Sequence, residues 1–212
     1  MKYFDITRDL AASLAPWPGD AHFSFSLIER LSEGSSVNLG RVTTSVHSGT
    51  HADAFFHFDE DGLTIDRFSP ERYLGPATVI DLMGRCGGAL GEITVDDLTG
   101  RVTSPRILLK TGVWPDSTKF PEAIPFLAEG VVNWLRGEGV VLLGLDLPSV
   151  DALDSKELRN HHALAKAGIS ILEGLDLRGV EAGKYWLAAL PLKIIGGDGA
   201  PVRAVLWREG PV

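Results

Sequence analysis

The chain has 212 residues, 44% hydrophobic and 23% charged, with a formal net charge of -8. That balance supplies apolar surface for a sizeable core, and it offers no clustered Lys and Arg for nucleic acid, so a small-molecule partner is expected. No stretch reads as a linker, and one domain over 1–212 is expected. Cys86 is the only cysteine, which rules out an internal disulfide, and a lone thiol among glycines is not read as a nucleophile. A charged start, MKYFDITRDL, and the lack of about 18 consecutive apolar residues predict a cytoplasmic protein without membrane contact.

Residues 3–7 (YFDIT) read as a short strand. Pro16, Pro18 and Gly19 in APWPGD predict a rigid turn presenting Trp17, whose ring either faces a ligand or covers core; residue type alone favours core. Residues 23–30 (FSFSLIER) alternate as a strand does. Residues 37–46 (VNLGRVTTSV), rich in β-branched side chains toward their end, predict a second strand.

That strand runs into HSGTHADAFFH, His47 to His57, which holds three of the six histidines. His47 and His51 would share a helix face, but Asp53, six residues from His47, would point away. On a strand, positions 47, 51, 53 and 57 share one face, yet at roughly 3.3 Å per residue the outermost would stand about 33 Å apart. The backbone therefore has to bend. Gly49 supplies the conformational freedom, and the Thr50 hydroxyl can secure a turn. Imidazole and carboxylate donors together suit zinc, with manganese or iron as weaker alternatives. The following DEDGLTID, with Asp59, Glu60 and Asp61, reads as a solvated loop outside the site.

Residues 76–82 (PATVIDL) and 106–111 (RILLKT) have the length and composition of buried strands. Between them Thr94 caps a brief helix ending at Leu98. An amphipathic helix is predicted over 122–136, with Pro125 in its first turn and Gly137 and Gly139 closing it. Residues 139–147 (GVVLLGLDL) predict a central strand stopped by Pro148. Asp154, with Glu157 in a capping box, would start a helix that carries His161 and His162 and ends near Gly168. Adjacent helical side chains point about 100° apart, so only one of the two histidines can face a given spot; the spacing leaves open which. In the strand ISILEGLDL, Glu173 is a costly carboxylate unless paired or bound to a cation. Strands at 184–194 and 201–207 complete the chain.

The blocks APWPGD, SVNLGR, HSGTHADAFFHF, LGLDLPSVD, SKELRNHHAL, ILEGL, LAALPLKI and APVRAVL span nearly the whole chain, and together they resemble the bacterial kynurenine formamidases of the metal-dependent cyclase superfamily. The resemblance implies an α/β, swivelling β/β/α (cyclase-like) fold with a mixed, barrel-like central sheet and few helices, assembled as a homodimer. It implies that His47, His51 and Asp53 hold one zinc, that Asp53 and His161 hold a second, and that Glu173 contacts both, with manganese as the alternative metal. The family spacing to Glu173 selects His161 over His162. The resemblance also makes His57 the proton donor and acceptor, and Trp17 a substrate contact. The implied reaction is hydrolysis of an aromatic formamide, N-formyl-L-kynurenine, to L-kynurenine and formate. One residue departs from the pattern: Phe55 stands where the family usually has proline. That substitution keeps open a related reaction on a cyclic amide such as isatin, or on a carbamate. A metal-stabilised binding protein without turnover is the alternative from another class, disfavoured by the lack of a Cys₄ or Cys₂His₂ set.

Overall fold

Short leucine-rich and β-branched runs with no polar alternation suit strands covered on both faces, which is the usual setting of parallel pairing. The computed structural model, which describes residues 1–86 and 91–208, builds its centre from such runs. In chain order the strands are β1 (Lys2–Asp5), β2 (Ser24–Glu29), β3 (Leu39–Thr43), β4 (His51–Asp53), β5 (Leu74–Asp81), β6 (Glu92–Ile93), β7 (Arg106–Lys110), β8 (Phe126–Leu127), β9 (Leu142–Leu145), β10 (Ser170–Glu173), β11 (Gly183–Ala188), β12 (Gly199–Pro201) and β13 (Val205–Arg208). The α-helices among the described residues are α1 (Met83–Cys86), α2 (Val95–Leu98), α3 (Val131–Gly137) and α4 (Arg159–Ala167).

Nine strands form one mixed sheet in the order β1-β13-β11-β5-β7-β9-β10-β4-β12, curled into a half-barrel. The pairs β5–β7, β7–β9 and β9–β10 are parallel, while β4 joins antiparallel to both β10 and β12. The two-residue side-chain period separates two cores. Leu108, Leu142 and Leu172 point into one, with Tyr73, Tyr185 and Leu206. Ile107, Leu143 and Ile171 point into the other, which Val131, Leu135 and Leu164 of α3 and α4 cover. The mixed, barrel-like sheet with few helices is the predicted fold. Among the described residues no helix is long and apolar enough to cross a membrane.

Most predicted elements form within a few residues of their expected bounds, including the brief helix after Thr94. There the Asp97 carboxylate accepts from the Thr94 backbone N–H at 2.9 Å and from its hydroxyl at 2.8 Å. Three expectations fail. The helix expected over 122–136 begins only at Val131, because Phe126–Leu127 pairs with Glu92–Ile93 and Gly130 turns the chain at φ 87. Tertiary pairing overrides local helical preference there. Asp154 does not cap the next helix: it lies in a turn that Ser155 N–H closes on the Ala152 carbonyl at 2.9 Å, and α4 starts at Arg159. The last two expected strands are shorter. β11 stops at Ala188, before Pro191, which has no N–H to give a ladder, and residues 201–207 are divided between β12 and β13. The Cys86 side chain lies outside the described set.

Candidate metal centre

The centre is built where β4 lies between β10 and β12. Antiparallel register sets His51 opposite Glu173 and Asp53 opposite Ile171. With a period of two, His51, Asp53 and Glu173 then share one face of the sheet. Gly49 makes the predicted bend at φ 65. Thr50 secures it, though by a contact distant in sequence: its hydroxyl donates to the Gly174 carbonyl at 2.6 Å and accepts the Arg8 N–H at 2.9 Å. Gly174 sits at φ 66, and a Cβ there would lie 2.1 Å from the Gly49 carbonyl oxygen. Gly174→Ala is therefore expected to combine left-handed strain of roughly 1–3 kcal/mol with displacement of the loop between His47 and His51. Thermal unfolding should show a lower Tm; an unchanged Tm would mean that the two loops do not need this close approach.

Asp53, 1% exposed, is the hub. Its Oδ1 lies 3.0 Å from His47 Nδ1 and 3.2 Å from His51 Nε2, and its Oδ2 lies 3.5 Å from His161 Nε2. Glu173, 3% exposed, reaches His51 Nε2 and His161 Nε2, each at 3.6 Å, and accepts the Val150 N–H at 3.1 Å. His161 is held from behind by Asp151, whose Oδ2 lies 2.7 Å from Nδ1. The same carboxylate accepts the Asn160 and His161 backbone N–H groups at 2.9 and 3.1 Å. Asp151 thus starts α4 and aims its histidine in one arrangement. His162 is exposed, its ring 5.3 Å from that of Phe58, so only His161 points inward.

The charges explain one another. Burial opposes a proton on His47, but Asp53 and Asp198 outweigh it and raise the imidazole to about 9. Burial is likewise overcome at His161, which Asp151, Asp53 and Glu173 lift to about 12. Asp53 is held well below the usual carboxylate range: burial acts against it, and hydrogen bonds to three imidazoles prevail. Glu173 is pushed up, by burial first and then by the Asp53 charge. His57 is lowered by burial, with the neighbouring His47 and His161 adding to the effect. Two buried acids thus compete for positive charge that protons on imidazoles supply only in part. Three imidazoles and two carboxylates directed at one another are a donor set that a divalent ion such as zinc fits. His47, His51 and Asp53 can enclose one ion, and Asp53, His161 and Glu173 a second; His47, His57 and Asp198 are a third, less buried group close enough to do so.

His47, His51, His161 and Glu173 of this cluster line a cavity of about 320 Å³, with Asp53 buried behind them. Trp17 is 40% exposed and borders the cavity rather than the core, contrary to the reading from residue type. It meets Phe120 edge-on at 5.2 Å, and Phe120 meets Trp114 at 5.9 Å, giving an aromatic wall. Arg8, buried and lowered to about 10 by that burial, braces the wall: its guanidinium lies 3.9 Å from the Trp114 ring and donates to the Gly174 carbonyl. Phe55 faces away from the cavity into the core, 4.9 Å from the Phe68 ring, and so does not reshape the pocket. Asp59, Glu60 and Asp61 are exposed, as expected.

His57 stands apart from the hub. Its Nδ1 is 3.5 Å from Asp198 Oδ2, and its ring lies 3.9 Å from that of His47. Residue type and spacing do not single out Asp198, Asp151, Trp114 or Phe120. Asp198 was signalled only by an isolated acid in GGDGA.

The Cyclase family model matches residues 4–152. A solved structure described as a potential metal-dependent hydrolase with cyclase activity superposes with a TM-score of 0.83 at 27% identity, covering 99% of each chain. The chain belongs to the cyclase family, and within it to the kynurenine formamidases. The kynurenine formamidase of Geobacillus thermodenitrificans is 45% identical over 208 residues, 98% of either chain, and that of Bacillus cereus is 42% identical over 97% of either. Isatin hydrolase A from Labrenzia aggregata shares the fold, with a TM-score of 0.81 at 22% identity over 97% of this chain and 93% of its own.

Proposed function

We propose that this chain is a metal-dependent amidohydrolase that converts N-formyl-L-kynurenine and water into L-kynurenine and formate. The observation that carries the reading is the convergence of His47, His51 and His161 on Asp53 beside buried Glu173, beneath an aromatic wall that suits an aryl formamide. Two zinc ions would occupy the two buried donor sets named above, with manganese as the alternative metal. Bound there, zinc would lower the pKa of water toward about 7 and offset charge on the carbonyl oxygen. Trp17 packs against the substrate ring. His57, neutral near pH 7, accepts the proton of the attacking water and returns it to the departing nitrogen as the C–N bond breaks. The balance is closed: water supplies the second formate oxygen and the amine proton, and its other proton passes to solvent as the acid ionises to formate. The proposal includes a single domain acting in the cytoplasm as a homodimer; exposed Phe25, Ile28 and Val42 on the β2–β3 hairpin support a subunit contact.

Formate release from N-formyl-L-kynurenine by the zinc-loaded protein tests the activity. Isatin, a carbamate and an aryl ester run beside it separate the alternatives, and turnover of isatin alone would overturn the assignment. Phe55 does not line the cavity, so any influence it has on substrate choice acts through the turn it shares with His57.

Metal uptake should depend on pH with a definite sign. His47 near 9 and His161 near 12 carry protons at neutral pH, and an ion must displace them, so the apparent affinity rises with pH. The expected slope is about tenfold per pH unit for each proton displaced. Competition against a chromophoric chelator at pH 6 and pH 8 measures it. An affinity independent of pH would show that these imidazoles are not the ligands.

A further inference from the structure

Asp198 has no part in the mechanism above, yet its backbone is anchored on two sides. Its carbonyl accepts the Ala54 N–H at 2.9 Å, the preceding Gly197 carbonyl accepts the Ile65 N–H at 2.9 Å, and the following Gly199 pairs with Asp53 across β12 and β4. A Cβ on Gly199 would come within 2.8 Å of His47 Cε1, so glycine at that position leaves the space the His47 ring occupies. The Asp198 carboxylate is thereby presented to two imidazoles at once. Its Oδ2 lies 3.1 Å from His47 Nε2 and 3.5 Å from His57 Nδ1, with the two rings 3.9 Å apart and inclined by 34°. The other nitrogen of His47, Nδ1, faces Asp53.

A carboxylate against one imidazole nitrogen keeps the proton there and leaves the lone pair on the other. On His47, whose Nδ1 and Nε2 face Asp53 and Asp198, the proton an ion displaces is then the one on Nδ1, toward the hub, while Nε2 keeps its own; on neutral His57 the lone pair falls on Nε2. We propose that Asp198 is a positioning residue that sets the tautomer and ring orientation of two histidines: His47 as a metal ligand and His57 as the proton carrier. The His57 half rests on the formamidase reading; the His47 half does not. Asp198 remains a carboxylate throughout and takes no proton. Its side chain is 44% exposed, so solvent screens its charge and the effect is one of geometry.

The test uses the zinc-loaded protein and Asp198→Asn, alone and combined with His57→Ala. Three quantities are read: zinc affinity by chelator competition, kcat and KM for N-formyl-L-kynurenine at saturating zinc, and Tm. Asp198→Asn is expected to weaken zinc binding and to lower kcat, each by about 10- to 100-fold, with KM and Tm unchanged. In the His57→Ala background it should cost no further kcat while still weakening zinc binding, since residues acting as a unit are not additive. Asp198→Glu, which keeps the charge, should recover part of both losses. An equal kcat loss in the His57→Ala background, an unchanged zinc affinity, or the loss of one whole zinc equivalent, which would make Asp198 a ligand, overturns the proposal. If the wild type hydrolyses no formylkynurenine, the functional reading fails, and the affinity measurement still decides the His47 half.

Discussion

Asp53→Ala is expected to lose bound metal and to reduce formamide hydrolysis to background. No other carboxylate among the described residues touches three imidazoles, at 3.0, 3.2 and 3.5 Å, and it belongs to two of the three groups that could hold an ion, the two buried ones. A neighbour cannot replace it. Glu173 lies 3.6 Å from two of the same imidazoles and is already committed to the Val150 N–H. Without ions, the shift of water's pKa from about 15.7 to about 7 is lost, so a rate loss above roughly 10⁴-fold is expected at neutral pH. The metal-free variant should also change internally: with the Asp53 charge gone, one cause that raises Glu173 disappears, and Glu173 ionises more readily against His161. Elemental analysis after dialysis, with formate release measured on the same sample, checks the prediction. A variant that kept two ions and a tenth of wild-type turnover would remove Asp53 from the centre.

The sequence carried the need for this hub further than its full membership. A straight strand cannot gather His47, His51 and Asp53, so a bend at Gly49 followed from geometry, and Glu173 was conspicuous as an acid in an apolar strand. Both features are local in sequence. Other members depend on contacts that no period reports. His47 meets Asp198 across 151 positions, through a β12–β4 pairing that nothing in GGDGA announces. Asp151 starts α4 from outside the helix, whereas the i, i+3 spacing of Asp154 and Glu157 fits a capping box that tertiary structure does not use. The choice between His161 and His162 was open for the same reason: helix periodicity separates their directions by about 100°, but only packing of α4 beside β10 says which direction is inward. Trp17 is the reverse case: residue type favours core for an aromatic ring between two prolines, whereas the resemblance implies a substrate contact, and the fold leaves the ring at the cavity edge.

His57→Ala should keep its metal and lose roughly 10²- to 10⁴-fold in turnover. The separation follows from position: His57 approaches Asp198 at 3.5 Å, while Asp53 and Glu173, the acids of the hub, are engaged by His47, His51 and His161. Burial holds its pKa below the ordinary histidine value of 6.5. At neutral pH the imidazole is therefore unprotonated and able to accept a proton. In the wild type kcat/KM should rise with pH through this lowered pKa and level off above it, and the variant should lack that limb. The leaving group supplies a sharper discriminator. A departing aryl amine must receive a proton, whereas an acidic phenol can leave as its anion. The cost of His57→Ala should accordingly be much smaller for a formyl ester of an acidic phenol than for an aryl formamide. Equal losses on the two substrates would show that His57 does not deliver the proton to nitrogen, and would confine it to activating water or shaping the pocket.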